Sequence, residues 1–456
     1  MGELRVRRRL QAATASLAAF AGTGLVFAVG TAPAGAAHGS SHAATSPSSS
    51  LHCAAGLGTG SPGVTAKQVN VAAISSLTGP ISAGFSAVVP GVQAYFDTVN
   101  AHGGVNGRKM NLAYNLNDEG TGSRFETETH TAIDQDHAFA VIASSYWFTP
   151  TYFASTCTPT YGFNVTGDWT GPPNLFAAGG SVQTYSAGAA QAERYLVKQV
   201  HAKSVGVLAY GVSSSANACQ ADVNGLEKAG IPVSYSDLKV TPLNPNVTPD
   251  VQRMASAGTG LIVSCMTVNG NIEVARAAKQ YGLKAKLLFF TIINQSVLNK
   301  ESNLLQGAYF TVESVPPLAN QKYPGTYPGL NAYLSAMHKY EPAYAGDNNS
   351  VLGWESAALL VAGIKGAGNN LTQANVVSQT NKLTAFTGGG LRTPTNWQRT
   401  HTLVTAPFCN AYVEVVGKQL EPVFVKNKQV FVCFSGTSKH PTPVATKPGT
   451  PGPAVG

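Results

Sequence analysis

Charge is scarce in this chain of 456 residues: 11% are Asp, Glu, Lys or Arg, with 22 acidic against 30 basic side chains. The resulting +8 is not a nucleic-acid signature, because Arg5, Arg7, Arg8 and Arg9 crowd into the first nine residues. Beyond them 26 basic and 21 acidic residues remain without a dense basic patch, so no nucleic-acid partner is expected. Signatures of catalysis and cofactor binding are missing too. There is no G-x-S-x-G elbow, H-E-x-x-H, phosphate loop or dinucleotide fingerprint. No C-x-x-C or close Cys/His pair occurs in the part expected to fold, so neither an enzyme nor a cofactor or metal is foreseen. Asn115-x-Asn117-x-Glu119-Gly120 with Glu126 imitates a calcium loop. Its first ligand is Asn and it continues a βαβ unit, so Asp118 or Glu119 is expected to cap the following helix instead. His102, His130 and His137 fall on turn or helix surfaces and read as solvated.

What is present is an ordinary globular composition, 44% apolar, in a chain long enough for two or three domains. The amino end reads as an export signal: basic to Arg9, apolar and small from Ala12 to Val29, then Ala34-Gly35-Ala36 as a cleavage site. The other reading is an uncleaved anchor, since the apolar run is about the eighteen residues that can just span a bilayer. The nearest cysteine beyond it is Cys53, so the usual lipoprotein attachment pattern is missing. The expected location is periplasmic, extracellular or envelope-associated. Six cysteines in an exported chain favour disulfides. Cys409 with Cys433 is the first choice, because they flank two β-like segments that can pair as neighbours; Cys219 with Cys265 and Cys53 with Cys157 follow.

Residues 1–36 are thus signal, 37–62 a low-complexity linker, and 435–456, with five prolines, a disordered tail. Between them short β-rich runs alternate with helix-period segments. Strands are expected at 69–74, 110–114, 139–143, 204–210, 231–235, 260–264 and 287–290. Helices are expected at 90–100, 123–135, 216–228, 248–255, 272–281, 328–339 and 351–365, followed by a β-rich end from Thr402 to Phe434. The syntax restarts after Gly179-Gly180, which predicts two similar doubly wound α/β lobes with mostly parallel sheets. Ligands of such sheets bind at the carboxyl ends of strands, so two facing lobes predict a cleft lined by strand-to-helix loops.

Several segments carry a resemblance. Gly63-Val64-Thr65, Leu77-Thr78-Gly79-Pro80 and above all Gly103-Gly104-Val105-Asn106-Gly107-Arg108-Lys109 are similar to the leucine/isoleucine/valine-binding protein family. Those are the type 1 periplasmic substrate-binding proteins of ABC importers. Ala209-Tyr210-Gly211, Gly282-Leu283, Gly307-Ala308-Tyr309 and Gly353-Trp354-Glu355-Ser356-Ala357 extend the resemblance over nearly the whole folded body. It implies a non-enzymatic two-lobe clamp with three crossover segments. Lobe one would be 63–180 plus 311–393, and lobe two 181–310 plus 394–434. The implied partners are a small organic ligand and an ABC permease of the cytoplasmic membrane, with the protein itself a monomer. A secreted sensory or signalling binding protein using the same clamp is the alternative.

The resemblance places the ligand against Ser144, Ser145, Tyr146, Trp147, Thr149, Asp168, Trp169 and Thr170 of lobe one, and against Tyr210, Thr267 and Asn294 of lobe two. Trp147 stands where family members carry a serine. The acidic residue that receives a ligand ammonium aligns near Ile293 or Asn294, neither of them charged. A buried ammonium without a carboxylate costs several kcal/mol, so either Asp168 supplies the charge or the ligand is not a standard branched-chain amino acid. The aromatics Tyr146, Trp147, Phe148, Trp169 and Tyr210 suit a larger, flatter or more apolar molecule. Packing beneath the cleft is the competing role for Phe148 and one tryptophan, and local capping the competing role for the serines.

Overall fold

The alternating sequence pattern is realised as two α/β lobes, each a sheet with helices on both faces. The structure, a computed structural model, describes residues 60–79, 81–163, 169, 171–177, 190–398, 401, 408–434 and 443–444. The first sheet is entirely parallel, in the order β2-β1-β3-β4-β5. Its strands are β1 (Gln68–Ser75), β2 (Lys109–Asn117), β3 (Ala140–Ser144), β4 (Thr160–Gly162) and β5 (Leu175–Ala177). Helices α1 (Val88–Ala101), α2 (Gly122–His130) and α3 (Thr151–Thr156) join them. The turn out of α1 explains the glycine-rich motif. Gly103, Gly104, Asn106 and Gly107 all have positive φ, between 49° and 92°. A Cβ on Gly104 would lie 2.1 Å from the Arg108 carbonyl oxygen, so only glycine fits there.

Lobe two contains α4 (Gln191–Gln199), β6 (Val205–Tyr210), α5 (Ser213–Lys228), β7 (Val233–Val240), α6 (Thr248–Ser256), β8 (Leu261–Ser264), α7 (Val268–Gln280), β9 (Lys286–Phe289), α8 (Gln295–Leu305) and β10 (Tyr309–Val312). The chain then continues through α9 (Ala319–Lys322), α10 (Pro328–Tyr340), α11 (Asn348–Ala367) and α12 (Gln373–Thr380), of which α11 and α12 pack on the first sheet. It ends in β11 (Phe408–Val416), β12 (Gln419–Val423), β13 (Phe431–Phe434) and β14 (Pro443–Val444). The second sheet runs β14-β13-β11-β10-β9-β8-β6-β7, with β12 paired to β11. From β7 to β10 it is parallel, and β11 is antiparallel to β10, β12 and β13. Within the β-rich end β11 and β12 form a hairpin, and β13 pairs with the other edge of β11. Pro443–Val444 adds a short strand to β13 within the stretch read as a disordered tail.

Each lobe is a sheet between two apolar layers. In lobe one, Val69, Val71, Ala73 and Ile142 meet Val92 and Phe96 of α1, Leu360 and Ile364 of α11, and Val376 of α12. On the other face Ala72, Ile74 and Val141 meet Phe125 and Phe153. In lobe two Leu208, Ile262 and Phe289 face α6 to α8, while Val205, Val207 and Leu261 face α4 and α5. Gly91 of α1 and Gly353 of α11 let those two helices touch backbone to backbone.

Two of the segments linking the lobes lie side by side. Ser314 and Arg392 form an antiparallel bridge, and the Val315 N–H donates to the Leu391 carbonyl at 2.6 Å. Arg392 is buried there, donating to Glu355 Oε2 at 2.7 Å and to Glu313 Oε2 at 3.1 Å. Ser314 Oγ donates to the other Glu355 oxygen at 2.9 Å. Gly179-Gly180 and Thr402 to Ala406 fall outside the described residues.

Two of the expected disulfides are present, Cys219–Cys265 and Cys409–Cys433, the second joining directly opposed residues of β11 and β13. The expected pairing of Cys157 with Cys53 is not made. Cys157 is a free, buried thiol in a left-handed turn at the end of α3, and Cys53 lies outside the described residues. The amino-terminal export segment, 1–36, does so as well. Among the described residues no helix is long and apolar enough to cross a membrane.

Candidate functional site

Parallel strands end where their carbonyls and the next helix's N–H groups are free, so the loops after β1, β3, β6, β8 and β9 are where side chains can be placed for binding. In lobe one the loop after β1 is tied down by Asn117, whose Oδ1 accepts the N–H groups of Leu77 (3.0 Å) and Thr78 (3.2 Å). The loop after β3 is held by Ser145, whose Oγ accepts the Trp147 N–H at 3.0 Å. Trp147 Nε1 donates to the Gly120 carbonyl at 2.8 Å, and its ring lies against Gly122. Glycine at position 122 leaves room for the indole. Neither Ser144, Ser145 nor Thr149 caps a helix: α3 has no side-chain cap, and Thr149 is exposed. Asp118 does not cap α2 either. Its Oδ1 accepts the Gly120 N–H at 2.8 Å, so it closes the turn ahead of the helix, and α2 has no side-chain cap from Thr121.

Trp169, expected to line the cleft, is fully buried and stacks on Phe148 with ring centroids 4.0 Å apart. Phe148 stacks in turn on Phe153. Gly162 of β4 makes space for the indole, since a Cβ there would meet Trp169 Cη2 at 2.7 Å. These rings are the floor under the loop, and their burial rather than a ligand explains them. Asp168 and Thr170 lie outside the described residues.

In lobe two Tyr210 closes β6, fully buried, with its hydroxyl 3.0 Å from Thr267 Oγ1. Its N–H donates to Ser215 Oγ at 2.8 Å, and Ser215 Oγ donates to the Cys265 carbonyl at 2.8 Å. Gly270 of α7 leaves the space that the Tyr210 hydroxyl occupies. Burial pushes the Tyr210 phenol up, against the opposing hydrogen bond from Thr267. The Cys219–Cys265 disulfide fastens α5 to the loop after β8, so one wall of the site is covalently braced.

The two halves meet directly. Asn294 caps α8 through Oδ1, which accepts the Val297 N–H at 2.9 Å, while its Nδ2 donates across to the Ala83 carbonyl of lobe one at 3.0 Å. Tyr146, from the loop after β3, packs against the lobe-two core and faces Tyr210, Ser214 and Ser215. The lobe-two loops Tyr210–Ser215, Cys265–Thr267 and Phe290–Asn294 carry no charged side chain. Ser76 Oγ, Asp118 Oδ2 and Ser144 Oγ are buried without a protein hydrogen-bond partner, all at or just beyond strand ends of the first sheet. Ser76, Ser214 and Ser215 were not foreseen from sequence. Small hydroxyls after strands carry no periodicity, and only the strand-end position marks them.

Behind the disulfide sits a buried acid pair. Among the described residues Cys219, Asp222 and Cys265 are the one group of metal-type donors in close proximity, but the two sulfurs are bonded to each other and cannot act as thiolates. Asp222 instead shares a hydrogen bond with Glu193 of α4. Burial raises both carboxyls, Glu193 to about 7 against the lowering hydrogen bond from Asp222, while Glu193 pushes Asp222 up further. A carboxyl whose folded pKa is raised stabilises the fold at low pH and loses that contribution as pH rises from its unfolded to its folded value. Stability is therefore expected to fall by roughly 3 kcal/mol between the ordinary glutamate value of 4.5 and about 7. Urea melts across that window check it, with the double variant Glu193→Gln/Asp222→Asn flattening most of the loss.

The fold has solved counterparts. A fatty acid ABC transporter substrate-binding protein from Thermomonospora curvata superposes with a TM-score of 0.68 at 16% identity, covering 86% of this chain and 96% of that one. A branched-chain amino acid ABC transporter protein from Thermus thermophilus with bound valine gives 0.64 at 16% identity, with coverage of 80% and 98%. A solute-binding protein from R. palustris in complex with benzoate gives 0.62 at 14% identity, with coverage of 78% and 95%. Comparison with curated proteins returned no match. The sequence model of the family described as "Periplasmic binding protein" matches residues 68–417, which takes in the whole first sheet, β6 to β11 of the second and the loops that face each other between them. The chain belongs to the periplasmic binding protein family.

Proposed function

We propose that this protein is an extracytoplasmic solute-binding protein: it captures a small organic molecule between its lobes and delivers it to an ABC permease of the cytoplasmic membrane. The observation that supports this most is the meeting of strand-end loops from both sheets, where Tyr146 faces Tyr210, Ser214 and Ser215. The export-like amino end fits a place outside the cytoplasm. Capture would use the open cleft, and closure about the linking segments would bury the solute and bring Asn294 onto Ala83.

The chemistry of the walls narrows the solute. Lobe two offers hydroxyls, amides and apolar surface with no carboxylate, which suits an uncharged or aromatic compound better than a free α-ammonium. The relatives with bound valine and benzoate show that the fold holds both classes. A thermal-shift panel on the purified protein tests the proposal, using leucine, isoleucine, valine, amides, ureas, benzoate and medium-chain fatty acids. A solute at a hundred times its Kd adds about 2.7 kcal/mol of stability. Stabilisation by an aromatic or uncharged compound is expected. Stabilisation by the branched-chain amino acids alone would overturn the solute class, and silence across the panel would overturn solute capture.

A further inference from the structure

We propose that the lobe-two half of the cleft is a phenol pocket filled by the protein's own Tyr146, and that an aromatic solute with a polar para substituent enters by displacing that side chain. This deepens the solute-capture reading and rests on it. Tyr146 belongs to lobe one by its position after β3, yet its ring packs on the lobe-two cluster that contains Leu208, Tyr210, Met266 and Ile293. The pocket is thus already complementary to a ring of this size.

Its far end is polar but gives Tyr146 little. The Tyr146 hydroxyl is buried against Ser214 and Ser215, and neither serine reaches it in full hydrogen-bond geometry. Ser215 Oγ is engaged, donating to the Cys265 carbonyl and accepting the Tyr210 N–H. The Tyr210 hydroxyl is paired with Thr267. Burial of the ring favours the seated position, while a poorly satisfied hydroxyl opposes it. The ring stays partly exposed, so the side chain is not locked in place. Neighbouring Trp147 differs, because its indole is tied to the Gly120 carbonyl. A free solute is not tethered at Cβ, so it can shift by the few tenths of an ångström needed to satisfy its polar group against the serines.

Removing the tethered ring should leave a site for a free one. Tyr146→Gly deletes the side chain, and p-cresol replaces it atom for atom. Calorimetric titration of Y146G with p-cresol is expected to show one site, at least tenfold tighter than in the unmodified protein, where Tyr146 competes from within the chain. Toluene, the same ring without the hydroxyl, should bind Y146G more weakly than p-cresol. Equal p-cresol affinity in Y146G and the unmodified protein would overturn the proposal, as would toluene binding as well as p-cresol. Should Y146G fail to unfold cooperatively, Tyr146→Ala with phenol gives the same reading. A positive solute panel on the unmodified protein with a flat Y146G titration sinks only the pocket. A silent panel with p-cresol bound to Y146G sinks solute capture and leaves the pocket standing.

Discussion

Replacing Arg392 with alanine is expected to remove about 3–5 kcal/mol of folding stability. The guanidinium has only 3% of its side chain exposed and Glu355 none, so the substitution leaves a carboxylate buried with Ser314 as its remaining partner. A surface ion pair would lose no more than about 1 kcal/mol, and that is the outcome that would sink the assignment. Burial already raises the Glu355 carboxyl even with Arg392 beside it. Without the arginine the carboxyl rises further and takes up a proton, a stabilisation present at low pH and lost as pH climbs above the ordinary value of 4.5. R392A should accordingly look worse at pH 8 than at pH 5 in urea melts. The double variant E355Q/R392M, which removes both charges, should regain most of the loss.

Gly353→Ala is expected to cost about 3 kcal/mol, although helix propensity alone argues the other way by about 1 kcal/mol. The reason is backbone contact. A Cβ at Gly353 would lie 1.9 Å from the Val88 carbonyl oxygen, and one at Gly91 would lie 1.9 Å from that of Ser350. Neither obstacle is a side chain that can swing aside, so α1 and α11 must separate along the layer that covers the first sheet. Gly103→Ala is the contrast. It has positive φ but nothing within 4 Å, so only the conformational penalty of about 1–2 kcal/mol applies. Equal thermal shifts for the two variants would contradict the close crossing.

The alternation of strands and helices was legible because long apolar periods announce it. Val69 to Ile74, Pro90 to Asn100 and Ala216 to Lys228 all fall within observed elements. Short elements escaped: β4 and β5 have three residues each, too few to show a period. Helix α8 was missed although Asn294 caps it, because its first turns are polar. The pair Cys409–Cys433 was found from its neighbouring strands, whereas Cys219–Cys265 rested on the even cysteine count alone, which also suggested the unmade Cys53–Cys157 pair. The Arg392 network was not, since Glu313, Glu355 and Arg392 are far apart in sequence and meet only through the fold. Among the aromatics, sequence could not separate Tyr146, which reaches across the cleft, from Trp169, which lies under it. A loop has no periodicity to tell which way its side chains face.

The interleaving of the two lobes also sets the order in which a growing chain can fold. The first sheet waits for α11, which follows every parallel strand of the second, and the second sheet waits for β11, which follows α11. A ribosome delivering the chain amino end first therefore cannot complete the first lobe until α11 and α12 have emerged, nor the second until almost the last strand has. Until then β10 offers an open edge, the kind of surface on which chains aggregate. Neither half is a natural fragment. Contacts of such long sequence separation make folding slow, so the newly made chain stays open well after its first strands have appeared.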